Sequence, residues 1–316
     1  MPNTAKEKAK NEPKTSGAKT RKRASRPKSD EEKREGRKRD RKMTAKTADR
    51  YELYQRAVNS PDADVDFIEK AYAHYNPGRK PMHFREDFCG TSAMCGEWLS
   101  RDAARSAEGF DLDPEPIEWG KKHNFNQVDD GHERMVWHLS DVRGSGDKRA
   151  DIAAAQNFSY WFFQERRQLL DYFAHVRQDL AEGGIFVLDL YGGPEATTEQ
   201  EEIRELGGGI EYVWDQKQYT PGTGIYETAI HFRFRDGTEL TNAFEYTWRY
   251  WTLNEIRDVL YDAGFGDVTT WFEGTDPDDE DEGDGNFELD AEGENCAAWL
   301  GYLVACVREA PKGAED

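Results

Sequence analysis

Two short segments carry the residue types that could do chemistry. Glu86-Asp87-Phe88-Cys89-Gly90-Thr91-Ser92 is an acidic run turning into small residues, and Gly109-Phe110-Asp111-Leu112-Asp113 closes an apolar run with carboxylates. A small-residue turn lets backbone N–H groups approach a ligand closely, and a carboxylate after the next strand can accept both hydroxyls of a ribose. Glu86 and Asp111 stand 25 residues apart, about the separation that one strand–helix–strand unit imposes. Asp141, within Leu139-Ser140-Asp141-Val142, and then Gln156-Asn157-Phe158-Ser159-Tyr160-Trp161-Phe162-Phe163 continue the series. Together they have the ingredients of a cleft for a nucleoside. Asp111 taken alone also reads as a helix cap, although Asp113, directly before Pro114, is the better-placed one.

Such a set works only if a scaffold brings distant turns to one edge. The hydrophobic pattern predicts strands over Met82–Phe88, Ser106–Leu112, Met135–Leu139, Ala150–Ala155 and Ile185–Leu190. Helices over Ala93–Ser100, Pro114–Asn124 and Gln164–Leu180 fall between them, a rhythm that implies a parallel sheet with helices on both faces. Two helices precede it, one through Tyr51, Leu53, Tyr54 and Val58 and one after Ser60-Pro61. Beyond strand five the pattern becomes antiparallel: Gly209–Trp214, Ile225–Arg235 and Glu239–Trp248, with Asp236-Gly237 as a hairpin turn. A helix over Leu253–Ala263 follows, then Val268–Glu273 and Ala297–Arg308 as a closing hairpin around an acidic loop, Thr275–Glu294.

At these residues the chain resembles the class I S-adenosylmethionine-dependent methyltransferases. Their first motif runs acidic-x-Gly-x-Gly-x-Gly, often with Cys-Gly-Thr at its centre, and Cys89-Gly90-Thr91 fits that form. The resemblance covers most of residues 80–306. It implies an α/β, Rossmann-like three-layer sandwich: a mostly parallel seven-stranded sheet, a C-terminal antiparallel hairpin and a β-rich insertion. It implies S-adenosylmethionine as cofactor. Glu86 would face its methionine part, Phe88, Cys89, Gly90 and Thr91 would form the loop against it, and Asp111 with Leu112 would hold the ribose. Asp141 with Val142 would meet the adenine, and Asn157 would lie beside the methyl. Phe88 and Ser92 replace the motif's outer glycines, so the loop takes a different path. A dinucleotide-binding enzyme is the rival reading. It needs those glycines for a pyrophosphate, which Glu86 and Asp87 would repel, whereas they would attract a sulfonium.

The acceptor is less legible. Methyl transfer is an in-line displacement in which the protein aligns donor and nucleophile, and Asn157, Tyr160 and Tyr191 are the candidate catalytic residues. Phe158, Phe162 and Phe163 read equally well as packing for the next helix. The absence of Pro after Asn157 disfavours the subclass that methylates DNA amino groups. By the same resemblance the insertion over residues 209–250 is a cover for a small-molecule acceptor. Tyr191 would be a wall of that pocket and Arg249 a clamp for a carboxylate or phosphate, or else a surface ion pair. His175 and His231 have no partner at ligand spacing, so no metal is expected, and Asp276, Asp278, Glu280 and Asp284 do not follow a calcium-loop pattern.

The charge is divided. The chain carries a net charge of −20, yet residues 1–50 hold 19 Lys and Arg against 8 Asp and Glu, so the remainder carries −31. Residues 1–43 contain no Leu, Ile, Val, Phe, Tyr or Trp, and read as a disordered basic tail. It either makes a weak electrostatic contact with nucleic acid or solubilises the chain. The expected organisation is this tail, a helical extension over 44–80, and one domain over 81–310. Four irregularly spaced cysteines and no long apolar run point to a reduced, cytoplasmic enzyme with no membrane partner. An RNA- or protein-directed methyltransferase recruited by the tail, and a non-catalytic cofactor-binding module, are the other readings.

Overall fold

In the computed structural model the described residues are 36, 38–126, 128–276 and 279–308. Most of the expected basic tail lies outside them. Its last residues are packed, however: Met43 is buried, and Arg56 makes paired hydrogen bonds to Asp40 at 3.2 and 3.0 Å. Packing therefore extends at least to Asp40, four residues before Thr44.

Helices α1 (Arg50–Val58) and α2 (Pro61–Tyr75) come first. Asp49 caps α1 by accepting from the N–H groups of Tyr51 and Glu52. There follow β1 (His83–Asp87), α3 (Ala93–Arg101), β2 (Ser106–Asp111), α4 (Pro114–His123), a single turn α5 (Gly131–Arg134), β3 (Met135–Leu139) and β4 (Ala150–Ala155). Next are a 3-10 turn (Ser159–Phe162), α6 (Arg166–Asp179) and β5 (Leu180–Gly192). Then come β6 (Gln200–Gly207), β7 (Ile210–Thr220), β8 (Ile225–Phe234), β9 (Glu239–Arg249), α7 (Leu253–Asp262), β10 (Asp267–Asp276), β11 (Asp279–Leu289) and β12 (Trp299–Cys306).

The main sheet has the order β11-β10-β12-β5-β4-β1-β2-β3. The pairs from β5 to β3 are parallel and those from β5 to β11 antiparallel. Side-chain alternation builds the three layers. Ile152, Ala154, Ile185 and Val187 face a core with α2 and α3, whereas Ala153, Ala155, Phe186 and Leu188 face one with α6 and α7. The sequence predicts seven strands here, and the structure adds an eighth: β11 forms from the expected acidic loop, and Phe287 buries its ring beside Phe67 and Tyr302. Charge on one face of an edge strand hides such an element, because only the inward positions need be apolar.

The second sheet, β6-β7-β8-β9, is wholly antiparallel. The Asp236-Gly237 turn closes β8 onto β9 as expected, with Phe234 N–H donating to Thr238 O. β6, which reads Gln-Glu-Glu-Ile-Arg-Glu-Leu-Gly, has too few apolar residues to announce itself. Helix α1 packs on this sheet rather than on the main one, with Leu53 and Ala57 among Ile210, Ile230 and Phe232. The expected helical extension is thus split between the two sheets. Among the described residues, no helix is long and apolar enough to cross a membrane.

Candidate active site

The carboxyl ends of β1, β2 and β4 open into a chamber of about 510 Å³. β1 leads into the turn at Phe88–Ser92, in which Phe88, Gly90 and Ser92 all have positive φ, at 55°, 49° and 53°. This is the altered path that the missing glycines imply. Phe88 packs edge-on to Phe163 and Tyr172, which holds its unfavourable backbone in place. Gly120 of α4 lets that helix approach the turn, since any Cβ there would collide with the Thr91 carbonyl.

Two acids define the chamber. Glu86 is buried, accepts a hydrogen bond from Cys95 N–H at 3.0 Å at the start of α3, and has its pKa raised to about 7 by burial. Asp111 accepts from Gly90 N–H at 2.8 Å through one oxygen and from Asp113 N–H at 2.9 Å through the other. Each Asp111 oxygen keeps a second lone pair for a ligand. Asp113 caps α4 by accepting from Glu115 N–H, as its place before Pro114 predicts. Asp87 is different. Its carboxylate is taken up by Arg85 and the Tyr172 hydroxyl, both at 2.8 Å, so it is engaged within the protein.

Gln156 is a site residue that the sequence analysis passes over. It is buried at the end of β4, lines the chamber, and neither atom of its amide has a partner. An unpaired buried amide costs about 1–3 kcal/mol unless a ligand satisfies it. The chamber therefore presents an acidic carboxyl, a two-donor, two-acceptor amide and a ribose-compatible carboxylate. This set fits a nucleoside with a cationic amino-acid arm.

A second chamber of about 470 Å³ lies between the rim of the main sheet and the antiparallel sheet. Its walls include Phe158, Tyr191, Trp214, Tyr246, Trp248 and Trp299. Tyr54, Asn59, Asn157 and Tyr246 line both chambers, so these four residues frame the seam between them. At that seam Asn157 and Phe158 are consecutive left-handed residues, with φ of 57° and 58°. The Asp189 carboxylate fixes them by accepting from both N–H groups, at 2.8 and 3.0 Å.

The expected site residues therefore divide. Glu86, Phe88, Cys89, Gly90, Thr91, Asp111 and Asn157 meet in the first chamber, and Asn157 and Tyr191 line the second. Leu112, Asp141 and Val142 line neither. Leu112 is exposed, Asp141 is held by Arg143 through two bonds of 2.8 and 2.6 Å, and the Val142 carbonyl accepts from Arg85. Tyr160 is corrected from a catalytic to a core residue. It is fully buried, because the 3-10 turn aims it inward, and its hydroxyl donates to the Asp189 carbonyl at 2.9 Å. Arg249 is corrected from a substrate clamp to a brace. It lines neither chamber, lies 3.6 Å over the Trp251 ring, pairs with Glu255 and donates to the Gln164 carbonyl. His231 is a sheet residue between Asp215 and Asn242 N–H. Away from both chambers, Glu108, His138 and Asp147 bring ligand-type atoms within 4.8 Å of one another. The Glu108 carboxylate there already accepts from His83, His138 and two backbone N–H groups.

No family model matches the chain, and no curated protein matches it. Solved structures do. A S-adenosylmethionine-dependent methyltransferase from Clostridium acetobutylicum is similar over 81% of this chain and 97% of its own, with TM-score 0.58 and 15% identity. CalS10, an amino pentose methyltransferase from Micromonospora echinaspora, matches over 80% and 94%, with TM-score 0.55 and 16% identity. The CcbJ methyltransferase from Streptomyces caelestis matches over 81% and 98%, with TM-score 0.56 and 16% identity. The chain has the class I methyltransferase fold. In that methyltransferase fold the first chamber occupies the edge where β1 and β4 part to opposite sides, the switch point at which open α/β sheets bind their ligands.

Proposed function

We propose that the chain is a S-adenosylmethionine-dependent methyltransferase that methylates a small-molecule acceptor at nitrogen or oxygen and releases S-adenosylhomocysteine. The observation that carries this reading is the adjacency of the two chambers across a seam framed by Asn157. One has the acids and the unpaired amide of a nucleoside site; the other is aromatic-walled and roofed by the insertion. Bound S-adenosylmethionine supplies a methyl group on a cationic sulfur. The chain's own residues do the rest. Asp111 holds the ribose hydroxyls, Glu86 and Gln156 face the cationic arm, and Asn157 positions the acceptor beside the methyl. Tyr191 and Trp248 close the acceptor chamber around an apolar or sugar-like face and keep water out.

The size and lining of the second chamber suit a small molecule rather than a polymer strand. An amino pentose is the acceptor type named for CalS10, which supports the small-molecule reading. Two measurements test it. S-adenosylhomocysteine should bind and raise the melting temperature. Methyl-labelled cofactor should then transfer label into a fractionated metabolite pool and not into an RNA fraction. Label confined to RNA or protein would overturn the small-molecule assignment, and absence of cofactor binding would overturn the methyltransferase reading itself.

A further inference from the structure

Three of the four residues that frame the seam come from parts of the chain that the parallel sheet does not supply. Tyr54 comes from α1 and Tyr246 from β9, and each lines both chambers. Their phenols interact with one another, and the Tyr54 ring stands 4.8 Å from that of Phe244, two residues before Tyr246. Trp248 stacks on Tyr246 at 4.4 Å from the other side. Packing thus fixes both rings at the seam, with their phenols facing one another. The other two framing residues, Asn59 and Asn157, are carboxamides.

All four groups are neutral hydrogen-bonding groups. Burial raises the pKa of both phenols, Tyr54 to about 12, so neither is set up to remove a proton as phenolate. Among the described residues no histidine or lysine lines either chamber, and the carboxylates that line the acceptor chamber, Asp189, Glu195, Glu202 and Glu205, are not among the four residues at the seam. They outnumber Arg56 and Arg204 there and favour an acceptor that carries an ammonium group over a neutral alcohol. An alcohol nucleophile needs a base at the moment of attack. An amine needs only its free-base form, and it retains N–H groups for phenol and amide oxygens to grip.

We infer that Tyr54 and Tyr246 are positioning residues that orient an amine acceptor, their hydroxyl oxygens accepting its N–H groups so that the nitrogen lone pair faces the first chamber. This rests on the methyltransferase reading above. In the step, the nitrogen lone pair forms the new C–N bond while the pair of the breaking C–S bond stays on sulfur. The alkylammonium product then loses one proton to water.

The experiment uses the full chain with two matched probe pairs, glucosamine with glucose and tyramine with tyrosol. Labelled methyl should enter an amine and neither alcohol. Tyr54→Phe and Tyr246→Phe, which keep the rings, should each lower kcat about ten- to hundredfold. Their calorimetric affinity for S-adenosylhomocysteine should stay within about twofold of the parent. Calorimetry of the S-adenosylhomocysteine complex with the accepted amine should show weaker binding in both variants. Product from an alcohol, no product from either amine by a chain that binds S-adenosylhomocysteine, or phenylalanine variants of full activity and affinity would each overturn the inference. Failure of the parent chain to bind S-adenosylhomocysteine would instead remove the reading on which it rests.

Discussion

The carboxylate of Asp111 accepts the Gly90 N–H at 2.8 Å, so the acid at the end of β2 holds the turn at the end of β1. One residue therefore shapes the loop and, in the proposed function, would also hold the ribose. Asp111→Ala should weaken S-adenosylhomocysteine binding by about a hundredfold, through loss of charged hydrogen bonds and of the turn they fix. Isothermal calorimetry measures this, and an unchanged affinity would remove Asp111 from the site.

Glu86 should make the proposed cofactor site pH-dependent. Its folded pKa, raised to about 7, lies above the ordinary value of 4.5, so burial favours the protonated form. Its contribution to the stability of the ligand-free chain is therefore full below about pH 4.5 and is lost as pH rises through 7. A cationic ligand favours the carboxylate, so cofactor affinity should rise over the same interval, with proton release on binding near pH 6–7. Calorimetry in buffers of different ionisation enthalpy reads the released proton directly. Glu86→Gln should abolish the release and flatten the pH dependence of melting.

Asp189 restrains two left-handed residues at once. Asp189→Ala should destabilise the chain by about 2–4 kcal/mol, since two N–H groups lose their acceptor and the strained turn is no longer held. Adding Asn157→Gly, which removes part of that strain, should return about 1 kcal/mol. Urea denaturation of the three proteins gives the comparison, and equal stability of the single and double variants would contradict the role assigned to the turn.

Arg249 braces β9 against α7 and the segment before α6. Arg249→Met should lower the melting temperature by a few degrees, equivalent to about 1–2 kcal/mol, and leave the KM of an acceptor amine unaltered. A KM raised more than about tenfold at unchanged kcat would restore the clamp, because that pattern marks lost binding alone.

Much of this architecture is legible in the sequence. Strands buried on both faces, such as Ile185–Leu190, read as continuous apolar runs, and Asp113-Pro114 and Asp236-Gly237 are local signals that need no tertiary context. The edge strands β6 and β11 are not legible, because solvent accepts their charged faces. Among the residues that line the first chamber, Glu86, Gly90 and Asp111 are legible because they lie in order around one strand–helix–strand unit. Gln156, Tyr54 and Tyr246 are missed for another reason. A glutamine is known to be unpaired only once its surroundings are built, and the seam pairs residues 192 positions apart. Tyr160 and Arg249 show the converse: residue type suggests chemistry, and burial or an internal partner assigns them to the frame.

Because α1 packs on the antiparallel sheet, the second chamber should also be a late product of folding. The seat of α1 on that sheet includes bonds such as Arg204 to the Ala57 carbonyl and Ala45 N–H to Thr238, which span 147 and 193 residues. Such contacts close long loops and form after the local strand–helix units. On a translating ribosome, α1 emerges early and must wait for β7 to β9 before its apolar face is covered. Nascent chains halted at residue 200 should accordingly expose that helix to proteases and chaperones, although all five strands of the parallel set and the turn after β1 have already been synthesised.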